Sequence, residues 1–431
     1  MKLNDGQSLI QKTLLRAAKI NNSTNEIVTI CNGNVHFKIQ SEYQKLAINN
    51  VLKSFVLEPC PRNTSAAIAL ASHYIKDKYS ENSIIVILSA DQLMDDGNEF
   101  QKSIDQAIKL ALDNYIVTLG IQPSHPATNY GYIKAKGHSV IEFTEKPQLE
   151  LAQQYYNSGK YLWNAGIFIS SIKTIQTEIN KFTPDIFTKT KQSIINSEQR
   201  ETKDFSCTKI RLDDYSDIEN ISIDYSVLEK SSKIAVVKSN TSWTDIGSWQ
   251  EYGKLSSSDN DANHISGDKI LTQDVNNCII HSDKKLIAGL GLNDLIIADT
   301  EDALLVAHKD RDQDIREIYN LVKSIGDKSF QEFPESIYEW GTKKSILKTN
   351  SLEILSYEIN EKSTVEFIND TVHAINILVI NGTIKIISDE SSDTELKSNE
   401  HKFLGNLDSF SLNNTSTSQT KLLVIKIIHT Y

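Results

Sequence analysis

No stretch of this sequence stays apolar for the roughly 20 residues that a helix needs to cross a bilayer. The longest apolar runs, Ser83 to Ala90 and Leu286 to Ala298, are interrupted well before that length. The first residues, Met1 to Ile20, alternate polar and apolar positions and lack both the apolar h-region and the small-residue cleavage site of a signal peptide. A cytoplasmic protein without membrane contact is the expectation. Cysteine is scarce, and Cys31, Cys60, Cys207 and Cys278 lie far apart, which excludes a local CxxC redox pair or zinc knuckle and leaves reduced packing residues. None of the ten histidines stands in an HxH or HxxxH pair. An excess of positive charge is also missing: the net charge of -11 argues against a nucleic-acid surface, because phosphate contacts are made by clustered Lys and Arg. A small anionic substrate needs only a few local cations and stays open.

What is present is enough chain for two or three domains, with 39% hydrophobic residues to fill their cores. Up to about residue 255, short apolar strands alternate with helical patterns, which predicts a mostly parallel sheet flanked by helices. Glu26 to Cys31, Ser83 to Ser89 and Tyr115 to Ile121 read as strands; Ser8 to Ile20, Asn63 to Lys76 and Phe100 to Leu112 read as helices. The chain thus opens on a helix with no strand before it. The polar, turn-rich run Ser256 to Asp268 reads as a boundary loop. From Lys269 to His308 short apolar pieces alternate with turns, as stacked strands would, and a helix over Gln313 to Ile325 closes that section. From Phe333 onward the chain is strand-like, which predicts a small all-β domain.

Three clusters can carry chemistry. Asp91 ends the strand pattern SIIVILSAD, and Asp245 sits in WTDIGSW. Carboxylates at the carboxyl ends of sheet strands face the crevice where α/β proteins bind ligands, and two of them can hold one Mg2+ against a nucleotide phosphate. The alternative for either is a helix cap or a turn Asp. In NYGYI and FTEKP, Gly131 permits close backbone approach, Glu145 can accept hydrogen bonds from sugar hydroxyls, and Lys146 can pair with a phosphate; the alternative is a solvated turn before Pro147. In EPCPRNTSAAIAL, Arg62, Asn63 and Thr64 start a helix, where anions are favoured, or Asn63 and Thr64 simply cap it.

Taken in order, EPCPRNTSAAIAL, ILSADQLMDD, TLGIQPSHPATNYGYI, FTEKP, YLWNAGIF, SIDYSVLEK and WTDIGSW resemble the successive motifs of the bacterial mannose-1-phosphate guanylyltransferases that carry a C-terminal cupin-type isomerase domain. The similarity continues through Asp302 to Asp314 and reaches EWGT, Glu339 to Thr342. The resemblance implies a nucleotidyltransferase (Rossmann-like) mixed α/β sheet over residues 1–258, a β-helix-like segment over 259–328 and a cupin-like all-β domain over 329–431. It also implies transfer of GMP from GTP to mannose 1-phosphate, giving GDP-mannose and pyrophosphate for polysaccharide biosynthesis. By motif, Asp91 and Asp245 would hold Mg2+; Gly131, Glu145, Lys146, Asn164 and Asp224 would hold mannose 1-phosphate; Arg62 and Asn63 would lie near the nucleotide; Glu229 and Lys230 would line the sugar side. A homo-oligomer, or pairing with an intact paralogue, is left open.

Departures from the family pattern carry expectations of their own. The family's Gly-rich triphosphate loop and its strand do not occur in the sequence, so the resemblance implies a sheet lacking its first strand. Removing even one preorganised charge contact costs on the order of a hundredfold in rate, and little or no turnover is the expectation, with an inactive sugar-phosphate-binding or partner-binding protein as the alternative. The family's ADH reads Ala90, Asp91, Gln92, and its WNSG reads Trp163, Asn164, Ala165, Gly166. Where a cupin isomerase has a histidine-rich metal strand, this chain has Asp370, Thr371, Val372, His373, Ala374, Ile375 and Asn376, so neither a metal nor isomerase activity is expected there.

Overall fold

A computed structural model describes the chain except residues 1, 2, 4, 21–25, 50, 203, 302, 326–334, 369–373, 389–390, 406–408 and 429–431, and the side chains of 313, 368, 391 and 392. Asp302, Asp370 to His373 and the boundary expected at 328 therefore lie outside the described residues. The chain divides into two units, Met1–Gly247 and Ser248–Tyr431.

The first unit opens on helix α1 (Leu9–Ala18), started by a reciprocal cap: Ser8 Oγ accepts from the Gln11 amide at 3.3 Å, and Gln11 Oε1 accepts from the Ser8 amide at 3.0 Å. Then come β1 (Glu26–Asn32), α2 (His36–Gln44), β2 (Leu52–Glu58), α3 (Asn63–Lys78), β3 (Ile84–Ile87), the two-residue β4 (Leu93–Met94), α4 (Asn98–Leu112) and β5 (Ile116–Ile121). After these follow β6 (Tyr132–Lys136), β7 (Ser139–Thr144), α5 (Leu149–Ser158), β8 (Tyr161–Ser171), α6 (Ile172–Phe182), α7 (Pro184–Ile195), β9 (Glu198–Glu201), β10 (Ser206–Lys209), β11 (Ile234–Ser239) and β12 (Trp243–Thr244). Helix α4 shows why the apolar spacing mattered: Phe100, Ile104, Ala107 and Ala111 fall on one face and all four are fully buried.

The sheet is mixed, as the family resemblance implied, and the mostly parallel sheet expected from the alternating pattern is corrected. Six strands run in the order β3-β8-β5-β11-β7-β6, and of these pairs only β5 with β11 is parallel. The cause is β8, eleven residues long, which lies antiparallel between β3 and β5; helix alternation alone does not reveal such an insertion. A second sheet, β1-β2-β10-β9, has parallel β1–β2 and β2–β10 pairs. Among the described residues, β1 and β3 each pair on one side only. One apolar cluster, with Phe100, Ile104, Leu119 and Trp163, covers one side of the six-stranded sheet, and another, with Ile68, Ile85, Phe168 and Ile175, covers the side of α3, α6 and α7.

In the second unit, β13 (His264–Ser266), β14 (Ile270–Gln273), β15 (Ile279–Ser282), β16 (Ile287–Leu290) and β17 (Leu295–Asp299) stack as parallel rungs: Ile270 pairs with Ile287, and Ile279 with Ile296. Val275, Cys278 and Ile280 fill the coil. The antiparallel β18 (Leu304–His308) closes it, followed by a 3-10 turn and the helix Ile315–Ser324, within the segment expected to be helical. The remainder is all antiparallel strands in two sheets, with Tyr357, Ile359, Ile377, Val379, Leu422 and Val424 of one facing Val365, Phe367, Ile384, Phe410 and Leu412 of the other in one core. Of the segment expected to replace the cupin metal strand, Ala374 to Asn376 begin the strand Ala374–Asn381.

Candidate functional site

Most of the side chains singled out in the sequence fall into two groups that meet at Tyr130 and Gly131, just before β6. In the first, Glu145 follows β7, Asn164 lies within β8, and Asp224 begins a single π-helical turn, Asp224–Leu228, a distortion frequent at functional sites. Asn164 is pinned on every side: its Oδ1 accepts from Thr118 Oγ1 at 2.7 Å and from the Gly166 amide at 3.2 Å, and its Nδ2 donates to Asp224 Oδ1 at 3.0 Å. Its amide donates to the Gly131 carbonyl at 2.8 Å. A methyl group at Gly131 would sit 2.5 Å from Glu145 Oε2 and 3.3 Å from Asn164 Cβ. Gly131, Glu145, Asn164 and Asp224 therefore converge on one small cradle.

The cradle is electrostatically loaded. The Glu145 side chain is only 9% exposed, so the solvated-turn alternative does not hold for it, whereas Lys146 is 55% exposed and stands 3.4 Å from Glu145 Oε1. Burial, then the Asp224 carboxylate, push the Glu145 carboxyl up to about 7, against the pull of Lys146. Burial also raises Asp224 above the usual range. Glu229, on the same side, accepts the Glu145 amide at 3.0 Å.

The second group is built on a short ladder. β4 pairs with β12, Leu93 opposite Thr244 and Met94 opposite Trp243, so Asp91, just before β4, and Asp245, just after β12, leave the same end of it. Asp91 is exposed and Asp245 half-buried. Asp245 Oδ1 accepts from Tyr130 Oη and from the Gly247 amide, both at 3.0 Å, so the bond of a turn Asp is present as well. Gln92, in place of the family's histidine, is buried and accepts from Trp243 Nε1 at 3.2 Å, which ties the two strands together. Tyr130 packs edge-on against Trp163 and Trp243. The sequence assigns no role to Tyr130, Trp163, Trp243 or Thr118, although the three aromatics lie within the motifs NYGYI, YLWNAGIF and WTDIGSW.

At the third cluster the bonds are internal. Arg62 donates to the Ser216 carbonyl, Asn63 Oδ1 takes the Thr64 amide at 2.8 Å, and Thr64 Oγ1 accepts from the Ile223 amide at 2.9 Å. Arg62 Nε is buried with no partner. Four non-glycine residues of this unit have positive φ among the described residues: Asn63, Asn114, Lys146 and Ile246. Three of the four lie in or next to these clusters. For β-branched Ile246, at φ 47°, this costs on the order of 1–3 kcal/mol and belongs to sites whose surroundings fix the backbone.

Among the described residues no three His, Cys, Asp or Glu side chains stand together as a metal cage. Two carboxylates do suit a cation that completes its shell with phosphate oxygens and water, as Mg2+ does. Among the same residues, no helix is long and apolar enough to cross a membrane.

Residues 1–262 match the family model described as nucleotidyl transferase, and 268–321 match the MannoseP isomerase/GMP-like beta-helix domain. The mannose-1-phosphate guanylyltransferase of Escherichia coli is 31% identical over 418 residues, covering 91% of this chain and 87% of its own. That of Salmonella muenchen is 31% identical over 432 residues, covering 98% and 89%. The crystal structure of mannose-6-phosphate isomerase from Helicobacter pylori has a TM-score of 0.53 at 28% identity, covering 57% of this chain and 93% of that one. The crystal structure of mannose-1-phosphate geranyltransferase from Thermus thermophilus, at 24% identity, shares the fold with a TM-score of 0.62, over 74% of this chain and 91% of that one. Neither the expected loss of turnover nor the alternative of an inactive binding protein is borne out, since both relatives are named for guanylyl transfer.

Proposed function

We infer the activity from one premise: the chain belongs to the mannose-1-phosphate guanylyltransferase family. In this reading a phosphate oxygen of mannose 1-phosphate attacks the α-phosphorus of GTP, the bond to the bridging oxygen of the β-phosphate breaks, and GDP-mannose and pyrophosphate are formed. Such a transfer asks the protein for positioning and charge neutralisation rather than covalent chemistry.

The observation that carries the reading is the convergence of Gly131, Glu145, Asn164 and Asp224 beside the Asp91 and Asp245 ladder. Gly131 lets the sugar approach the backbone; ionised Glu145 and Asp224 accept hydroxyl hydrogen bonds, and Asn164 fixes Asp224 for that task. Lys146, exposed beside Glu145, pairs with the sugar phosphate. Asp91 and Asp245 would hold Mg2+, which, when bound, neutralises charge developing on the phosphates. Arg62, with its unpartnered Nε, is the nucleotide-side cation, and Asn63 shapes the turn next to it. The three-part division at 258 and 328, with the cupin-like part free of metal, and a cytoplasmic location complete the proposal.

Asp91→Asn and Asp245→Asn are each expected to lower GDP-mannose formation by on the order of a hundredfold or more, with mannose 1-phosphate affinity held within about threefold because neither carboxylate lies in the sugar cradle. The check is turnover of the 431-residue chain with GTP and mannose 1-phosphate, alongside calorimetric binding of the sugar phosphate. A chain that binds the sugar phosphate and yields no GDP-mannose would sink the transfer reading.

A further inference from the structure

Helix α1 buries polar residues where an amphipathic helix would place apolar ones. Thr13 is 6% exposed and Arg16 1%, and with Lys19 they follow at three-residue steps, one above the other on the helix. All three bond to the segment that carries Asp91. Thr13 Oγ1 donates to the Ser89 carbonyl at 3.4 Å, Arg16 donates through Nη2 to the Met94 carbonyl at 3.1 Å, and Lys19 Nζ bonds Asp96 at 2.6 Å. Ser89 and Met94 bracket Asp91, and Met94 is the residue opposite Trp243 in the ladder that leads to Asp245.

Packing does not account for an arginine here. Its guanidinium is wholly buried, its Nε has no partner, and the Phe100 ring lies 5.9 Å from its Cζ. A buried cation with so few acceptors is expensive to desolvate, and an apolar side chain of similar length packs without that cost. We propose that Thr13 and Arg16 are positioning residues: by gripping both sides of the Asp91 segment they set the spacing of Asp91 and Asp245, and so the affinity of that pair for a divalent cation. The proposal rests on the metal role given above to the two aspartates. Lys19 contributes less, because its side chain is 58% exposed and its pair with Asp96 is screened by solvent.

The test is titration of the full chain with Mn2+ alone, followed by the electron paramagnetic resonance of the free ion. Arg16→Met is expected to weaken Mn2+ binding about tenfold, the scale on which residues supporting metal ligands act. Arg16→Lys, which keeps a donor for the Met94 carbonyl, is expected to stay within about threefold of wild type, and Thr13→Val to weaken binding by a similar small factor. Because a buried charge is removed, Arg16→Met should leave the thermal midpoint unchanged or higher, and mannose 1-phosphate affinity should not move. Wild-type Mn2+ affinity in folded Arg16→Met and Thr13→Val, or equal loss of Mn2+ and mannose 1-phosphate, overturns the proposal. Failure of the metal reading itself shows elsewhere, in wild-type protein whose Mn2+ binding is indifferent to Asp91→Asn and Asp245→Asn; the positioning proposal then falls with it.

Discussion

Gly131→Ala is expected to weaken mannose 1-phosphate binding on the order of a hundredfold while leaving the fold intact. The added methyl would lie 2.5 Å from Glu145 Oε2, a distance no relaxed carbon and oxygen share, and 3.3 Å from Asn164 Cβ. The Glu145 carboxylate, at the end of a flexible side chain, would swing aside, whereas Asn164 has little room to move. Asn164 is held by Thr118, Asp224 and the Gly166 amide, so the displacement falls on Glu145, which leaves the position it holds beside Gly131. Displacing Glu145 removes a charged hydrogen-bond acceptor from the sugar side, worth about 1.5–3 kcal/mol, and about 3 kcal/mol lost from binding is roughly a hundredfold. Gly131 itself has no positive φ to lose, so the backbone tolerates alanine and the effect belongs to the cradle. Isothermal calorimetry with mannose 1-phosphate, together with thermal unfolding, separates the two. Unchanged affinity in a folded Gly131→Ala protein would mean that the sugar phosphate binds elsewhere.

That a candidate site is legible in the sequence at all rests on chemistry carried by short, local words. Asp91 at the end of an apolar run, Gly131 between aromatics, and Glu145 with Lys146 before a proline are legible because a glycine or a carboxylate in such a place has few alternatives. The strands and helices around them were legible for the same reason: Ile116–Ile121 is apolar almost throughout and is buried throughout, and α4 repeats its apolar residues at helical spacing. What stayed hidden depends on partners far away in the chain. Strand β8 reads locally as a motif, YLWNAG, and only pairing with β3 and β5 makes it the antiparallel strand that turns a parallel pattern into a mixed sheet. The bond from Asn164 to Asp224 spans sixty residues, and neither residue announces it. Arg16 is the sharpest case. On a helical wheel it counts as a solvent residue, and it is among the largest fully buried side chains of the chain.

Replacing Glu145 by glutamine should raise stability at high pH and leave it unchanged at low pH. The ordinary glutamate value near 4.5 is pushed up to about 7 in the folded protein, first by burial and then by Asp224. A carboxyl whose folded pKa is raised holds its proton more tightly in the native state, so its contribution to stability is fully present below about 4.5 and is lost as pH rises through about 7. Above that, the wild type carries a buried charge that the unfolded chain would hold at lower cost. The expected gain of Glu145→Gln at pH 8 is about 2 kcal/mol, discounted from the full shift for the water and the Lys146 cation that reach the group; at pH 4 the two proteins should unfold alike. Function runs the other way. In the proposed reading the ionised carboxylate is the form that accepts hydroxyl hydrogen bonds, so mannose 1-phosphate affinity of the wild type should climb as pH passes through 7, and the glutamine variant should bind weakly with no such climb. The ligand's own phosphate titrates near about 6, which makes the difference between the two proteins, rather than either curve alone, the quantity to follow. Chemical denaturation and calorimetry at pH 5, 6, 7 and 8 supply it. Parallel stability curves for wild type and Glu145→Gln across that range would show that the carboxyl is not held above its ordinary range, and the half-neutral cradle would have to be abandoned.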